Sequence, residues 1–287
     1  MHSNASTKKR HAKLVDGVHR PAQDASLSST ETAAPILEAR CITKNFGHVE
    51  ALRGADFAAH AGEVTALIGD NGAGKSTLVK ILSGVYRPTA GEIIVKGHKV
   101  VFDSPAAAHA AGIETVYQDL SVAPDLSPAA NMFMGRELLR RGLLGRLGFL
   151  DNAAMRRESL VAFERLKVSL KDMDTPISSL SGGQRQSVAI CRSIMWARSV
   201  VFMDEPTAAL GVVQTGRTLD LIRRIRDTGI AVVLISHNMR DVLQVADCIE
   251  VLRLGRRITR LRNDGITIQD LVGAMTGALD AEQGAAA

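Results

Sequence analysis

From about residue 36 to residue 277 the apolar positions fall into short blocks whose spacing alternates between strand-like and helical. Residues 36–46 and 50–57 read as strands, and 63–68 is a largely apolar run that fits a strand buried on both faces. Residues 75–82 then switch to helical spacing through Leu78, Ile81 and Leu82. Further strand is predicted over 91–101 and 113–117, with a small alanine-rich helix over 104–111 between them. From 119 to about 179 the pattern is helical, with breaks at Pro124, at Pro176 and through the glycines of 142–148. There Asp151 is placed to cap a helix running to Leu166, with Met155, Leu160, Phe163 and Leu166 near one face. A helix after Gly183, strands over 199–203 and 230–235, helices over 214–226 and 239–245, a hairpin (248–254 with 256–261) and a helix over 268–275 complete the pattern.

Strands alternating with helices predict an α/β core on a parallel sheet, preceded by an antiparallel β subdomain and interrupted by an inserted helical subdomain at about 119–180. Residues 1–35 are polar, rich in Ser, Thr, Ala and Lys, and read as a disordered leader; 278–287 read as a flexible tail. That leaves one folded domain over 36–277, with no motif occurring twice.

Composition narrows the class. Hydrophobic residues make up 46% and charged residues 23% of the 287 residues, which suits a single cored domain. The longest apolar runs are strand-sized, so no membrane span is expected. Cys41, Cys191 and Cys248 are odd in number and widely spaced, which predicts reduced thiols rather than disulfides or zinc. The net charge of +5 permits weak attraction to phosphates or lipid head groups, but with 3% aromatics there is no interleaved surface for nucleic acid.

The chemistry is concentrated in a few strings. Gly69-Asp70-Asn71-Gly72-Ala73-Gly74-Lys75-Ser76-Thr77 follows the buried strand and opens a helix, the context of a phosphate-binding loop. Glycines let backbone N–H groups converge on a triphosphate, and the helix presents its positive end. Lys75 would reach the β- and γ-phosphates, Ser76 would ligate Mg²⁺, and Thr77 would lie near the α-phosphate. Val200-Val201-Phe202-Met203-Asp204-Glu205 is an apolar strand ending in two carboxylates, resembling a Walker B motif. Asp204 would hold Mg²⁺ and Glu205 would act as general base toward the attacking water.

Leu180-Ser181-Gly182-Gly183-Gln184 adds what ordinary P-loop enzymes lack. Together these strings resemble the ATP-binding cassette (ABC) ATPases over roughly residues 37–277. The resemblance implies that residues 180–184 act on ATP bound by the opposite copy in a head-to-tail homodimer. It also implies a γ-phosphate-sensing role for His237, and a role for Gln118 at Mg²⁺ and the attacking water. Phe46 is placed like the aromatic that stacks on adenine, though a core position is the alternative. One departure stands out: Ala208-Ala209-Leu210-Gly211 lacks the aspartate usual in the family's D-loop.

The P-loop string, the run Tyr117-Gln118-Asp119-Leu120, the segment Asn131-Met132-Phe133-Met134-Gly135-Arg136-Glu137 and that D-loop variant resemble the ATP-binding subunits of monosaccharide importers of the ribose, xylose and fructose class. Such a subunit is expected peripherally at the cytoplasmic face of a bacterial-type membrane. Its partners would be a separate permease and, indirectly, a solute-binding protein. A cassette for another small solute and a non-transport ABC ATPase are the competing readings; the absence of a heptad run or cysteine cluster between Lys75 and Ser181 disfavours repair and chromosome-structure types. Arg136, Arg140, Arg141 and Arg146 lie in the helical segment, either on a permease-docking face or simply solvated.

Overall fold

The computed structural model describes residues 34–278 apart from 118, 120, 171 and 209; the expected leader through residue 33 and the tail from 279 lie outside the described residues. Two sheets form. The central one contains β3 (Val64–Ile68), β6 (Ile113–Val116), β7 (Val200–Asp204), β8 (Ala231–Ile235), β9 (Cys248–Arg253) and β10 (Arg256–Arg262), in the order β10-β9-β3-β8-β7-β6. All its pairings are parallel except β9 with β10. The second is wholly antiparallel, β2-β1-β4-β5, from β1 (Leu37–Phe46), β2 (Val49–Ala59), β4 (Ala90–Val95) and β5 (His98–Val100).

The central strands are apolar on both faces because each face meets a different core. Along β7, Val201 and Met203 point into one cluster while Val200 and Phe202 point into the other, as the two-residue period of a strand requires. The second cluster joins the antiparallel sheet (Leu37, Ile42, Phe57) to α1 (Lys75–Leu82) and α2 (Pro105–Ala110). The first takes the remaining long helices: α5 (Asn152–Arg165), α6 (Gly182–Trp196), α7 (Val212–Asp227), α8 (Met239–Val245) and α9 (Ile268–Thr276). Phe133, Met155 and Phe163 of the inserted segment belong to that same cluster, so the insertion packs on the core of the central sheet rather than enclosing one of its own.

Two expectations need correction. The strand expected over 91–101 is a hairpin, because Lys96 (φ 51°) and Gly97 (φ 79°) both adopt the left-handed conformation of a tight two-residue turn. The helical reading of 119–179 holds only in part. Around the short α3 (Pro128–Met132), α4 (Leu143–Arg146) and the full α5, the chain is irregular. Positive φ at Gly135 and, at the expected break, at Gly142 and Gly148 on either side of α4 interrupts the helical path, and a bridge between Leu139 and Leu150 folds residues 138–151 into a loop. The Asp151 cap forms as expected, its Oδ1 accepting from Ala154 N at 2.9 Å.

The arginines of this segment separate into two kinds. Arg136 donates to Glu114 on β6 at 2.9 Å and lies over the Trp196 ring, 4.8 Å from its centroid, while Glu114 also meets His109 at 3.0 Å. Arg136 therefore fastens the insertion to the strand that leads to Gln118. Arg140, Arg141 and Arg146 make no ion pair among the described residues.

On β9, Glu250 is fully buried. Its Oε1 accepts from Ala58 N at 3.1 Å and faces Arg257 and Arg260 at 3.6 and 3.5 Å, while its Oε2 has no hydrogen-bond partner. Burial pushes this carboxyl up to about 7 despite the two guanidinium groups. A folded-state value above the unfolded one means that the native state holds the proton longer. Stability from this group is therefore complete below the ordinary carboxylate range and is lost as pH rises toward 7. We expect Glu250→Gln to flatten the decline in unfolding free energy between pH 5 and 7.5, by at most about 3 kcal/mol. Urea titrations across that range check this, and a variant with the same pH slope as the parent would refute it.

Candidate functional site

Strand β3, paired between β8 and β9, delivers the phosphate-binding loop at its C-terminal end. Gly69 has φ 148°, and a Cβ there would lie 2.1 Å from the carbonyl oxygen of Leu252. Gly74, at φ 103°, caps α1, and a Cβ there would lie 2.8 Å from Ala51 O. Both glycines are thus required by backbone packing as well as by the loop's turn. Lys75 begins α1, and its Nζ donates to the carbonyls of Gly69 (2.6 Å) and Asp70 (3.0 Å). Burial holds its pKa below the usual lysine value, against the attraction of Glu205, Asp70 and Asp204. Asp70, Asn71 and Ser76 are exposed, Thr77 is half-buried, and Ala73 is buried.

The acidic pair stands at the same end of the sheet, two strands away on β7. Asp204 ends β7, where burial and then the neighbouring Glu205 raise its pKa while Lys75 and Lys80 oppose the shift. Glu205 adopts φ 50° and donates its N–H to Ile235 O at 2.9 Å, fixing it to the end of β8. Its Oε1 accepts from His237 N at 3.0 Å and lies 2.7 Å from His237 Nδ1. The Glu205 side chain is 16% exposed and that of His237 78%, so the pair reaches from interior to surface. His237 is therefore oriented by both its backbone and its ring. Gln118, expected in the same site, lies outside the described residues; β6, which precedes it, pairs with β7 from Ile113 to Val116.

Phe46 is 42% exposed at the end of β1, so the core alternative fails. Its ring meets Tyr86 edge-on at 5.4 Å, with the Lys44 ammonium 5.1 Å from its centroid.

Residues 180–184 open α6. Ser181 is its N-cap: Oγ accepts from Gln184 N (3.3 Å), and Gln184 Oε1 accepts from Ser181 N (3.0 Å), a reciprocal capping box. Sequence reading begins this helix after Gly183, whereas it begins at Gly182, because the Ser–Gln pair sets the start. Gly182 has open space around it, while a Cβ on Gly183 would lie 2.9 Å from Gln214 Cγ. Gly211 caps α7 without a side-chain bond, and Gln214 Oε1 lies 2.8 Å from where its Cβ would stand. Gln214 thus fills the space between Gly183 and Gly211, where the usual aspartate is missing. A cavity of about 430 Å³ beside this loop is lined by Ser181, Gly183, Gln214, Arg217 and Arg224 among others, and by no residue of 69–77. No hydrogen bond or ion pair among the described residues joins 180–184 to 69–77, Glu205 or His237.

Some contributors carried no local signal. Thr207 Oγ1 donates to Asp241 Oδ2 at 2.7 Å, tying the turn after Glu205 to α8, and Asp241 is buried. The 34-residue separation hides this pair from any motif.

A strand–loop–helix phosphate site facing an Asp–Glu pair, with a capped glycine loop elsewhere on the same molecule, defines a nucleotide-binding cassette. The ABC transporter family pattern matches residues 52–208. The chain is 47% identical over 246 residues to the fructose import ATP-binding protein FrcA of Rhizobium meliloti, spanning 85% of this chain and 95% of that one. It is 41% identical over 241 residues to the xylose/arabinose import ATP-binding protein XylG of Sulfolobus acidocaldarius, covering 84% and 94%. Among solved structures it resembles the ADP conformation of an ATP-binding cassette of an ABC transporter, with TM-score 0.70, 25% identity and coverage of 85% and 96%. This chain belongs to the ABC transporter family, as one of its ATP-binding cassettes.

Proposed function

We propose that this cassette binds and hydrolyses ATP to drive import of a monosaccharide through a separate permease, working as a homodimer at the cytoplasmic face of a membrane. The observation that carries the reading is the His237–Glu205 pair at the end of β8, set against the Lys75 loop on the adjoining β3. The fructose and xylose/arabinose import relatives supply the solute class.

In this reading the N–H groups of 69–77 and Lys75 cradle the phosphates, and the exposed Phe46 ring stacks on the base. The residues present suit Mg²⁺: a serine hydroxyl at the start of α1, one strand-end carboxylate and, from Gln118, an amide oxygen are hard oxygen donors, with phosphates completing the set. Asp204 feels the negative charge of Glu205, so a cation beside it relieves that repulsion. Bound Mg²⁺ would neutralise charge on the phosphates. Glu205 takes the proton of the attacking water, and His237, anchored on Glu205, reads the γ-phosphate.

The signature residues Leu180 to Gln184 present the N-terminus of α6 to the ATP of a second copy. Nucleotide would then hold two copies together and hydrolysis release them. The permease would bear on the region around Gln118, α3 and α5, which Arg136 and Glu114 fasten to the sheet. A solute-binding protein would act indirectly, on the far side of the membrane.

Uptake of a labelled monosaccharide panel, in cells lacking the gene and complemented with wild type or Glu205→Gln, tests the assignment. Loss of one sugar's uptake, restored by wild type alone, is expected. Unchanged uptake of every sugar would overturn the monosaccharide reading and leave another solute or a non-transport role.

A further inference from the structure

The loop over residues 138–151 is built unlike the rest of the surface. Hydrogen bonds from Arg140 N to Phe149 O (2.9 Å) and from Asp151 N to Leu138 O (2.7 Å) close its base. The single turn of α4 forms its tip, stopped by Gly142 before it and Gly148 after it, both at positive φ. Every one of Leu139, Leu143, Leu144, Leu147, Phe149 and Leu150 is exposed, Leu143 to 72% and Leu147 to 66%. Such a dense group of exposed large apolar side chains calls for a covering medium. Between Leu138 and Leu150 there is no acidic residue, while Arg140, Arg141 and Arg146 are exposed and make no ion pair among the described residues.

Two features choose between occupants. First, the apolar groups are not confined to the helical turn (Leu143, Leu144 and Leu147): Leu139 on one arm of the loop and Phe149 and Leu150 on the other are exposed as well. A protein groove receives one face of a helix, whereas a fluid acyl layer can surround a knob on all sides. Second, the three arginines, with no ion pair among the described residues and no carboxylate between them, match a negatively charged surface. Their long side chains can keep the guanidinium at head-group level while neighbouring leucines go deeper.

We propose that the 138–151 loop is a lipid anchor, its Leu143, Leu147 and Phe149 side chains entering an anionic bilayer surface while Arg140, Arg141 and Arg146 pair with lipid phosphates. The anchor stands on this loop's own composition and geometry and does not depend on the sugar assignment. It gives the cassette a hold on the membrane independent of any permease, which limits its search for one to the bilayer plane.

The test is co-sedimentation of the purified full chain with vesicles of phosphatidylglycerol and phosphatidylcholine, or of phosphatidylcholine alone, with ATP turnover followed alongside. Binding is expected on the anionic vesicles and weakened by 0.5 M salt. Either triple variant, R140E/R141E/R146E or L143S/L147S/F149S, should weaken it by ~10-fold or more, since each basic residue near the surface contributes appreciably. Turnover in both variants should stay within about twofold of wild type, because neither touches the nucleotide site. A separate Leu143→Trp variant should shift its emission to the blue on anionic vesicles only, reporting insertion without removing the loop's apolar character. Failure of the wild type to bind anionic vesicles, or binding unchanged in either triple variant, would overturn the anchor and assign the face to a protein partner.

Discussion

Glu205→Gln should lower steady-state ATP turnover by a factor of about 10²–10⁴ while leaving the fold and ATP binding intact. The magnitude is that of losing a positioned general base. The fold survives because the amide oxygen of glutamine can still accept from His237 N, the contact that Glu205 Oε1 makes at 3.0 Å. The left-handed turn at 205 and its N–H bond to Ile235 O are backbone features and persist as well. What is lost is a carboxylate able to take a proton. Phosphate release by the purified variant measures the drop, and nucleotide titration followed by protein fluorescence checks that binding remains. Turnover equal to wild type would remove Glu205 from the chemistry.

The second large effect concerns packing under the phosphate loop. Gly69→Ala should destabilise the chain by more than about 3 kcal/mol, because its Cβ would stand 2.1 Å from Leu252 O, a backbone atom with no rotamer to yield. Relief would require β9 to move away from β3, where Ile68 pairs with Val251, and the loop would lose its geometry with it. Gly72→Ala provides the comparison. Gly72 has φ 81° but nothing within 4 Å of its Cβ position, so the cost is backbone strain alone, about 1–2 kcal/mol. Urea denaturation of both variants, with ATP binding measured on each, separates clash from strain. Equal stabilities would show that the close approach of Gly69 to β9 is not a constraint.

What could be read from the chain follows the range of the interactions involved. The phosphate loop, the acidic pair and the signature are local strings whose geometry comes from their own elements, so their placement was legible. The Asp151 cap and the start of α5 were legible for the same reason. Two left-handed residues at Lys96-Gly97 were enough to turn one expected strand into a hairpin, and glycines at 135, 142 and 148 broke an expected helical stretch into turns. The break through the glycines of 142–148 was read from the residue types, whereas the turns at Lys96-Gly97 and Gly135 were not. Fully hidden were pairs made by topology: Arg136 with Glu114, Thr207 with Asp241, and the ion cluster around Glu250 that joins β2, β9 and β10. The packing of Gln214 against Gly183 was hidden too, since it depends on how α6 meets α7.

In the proposed function the phosphate loop and the 180–184 loop of one chain serve two different ATP molecules, so that a competent site needs two copies. Within the chain no bond joins the two loops among the described residues. Sedimentation velocity of Glu205→Gln with and without ATP and Mg²⁺ tests this most directly, with Ser181→Arg added in the same background to block the α6 face. We expect a dimer with ATP, a monomer without it, and a monomer under both conditions once Ser181 is replaced. A variant that binds ATP yet stays monomeric, or a dimer indifferent to nucleotide and to Ser181→Arg, would contradict it.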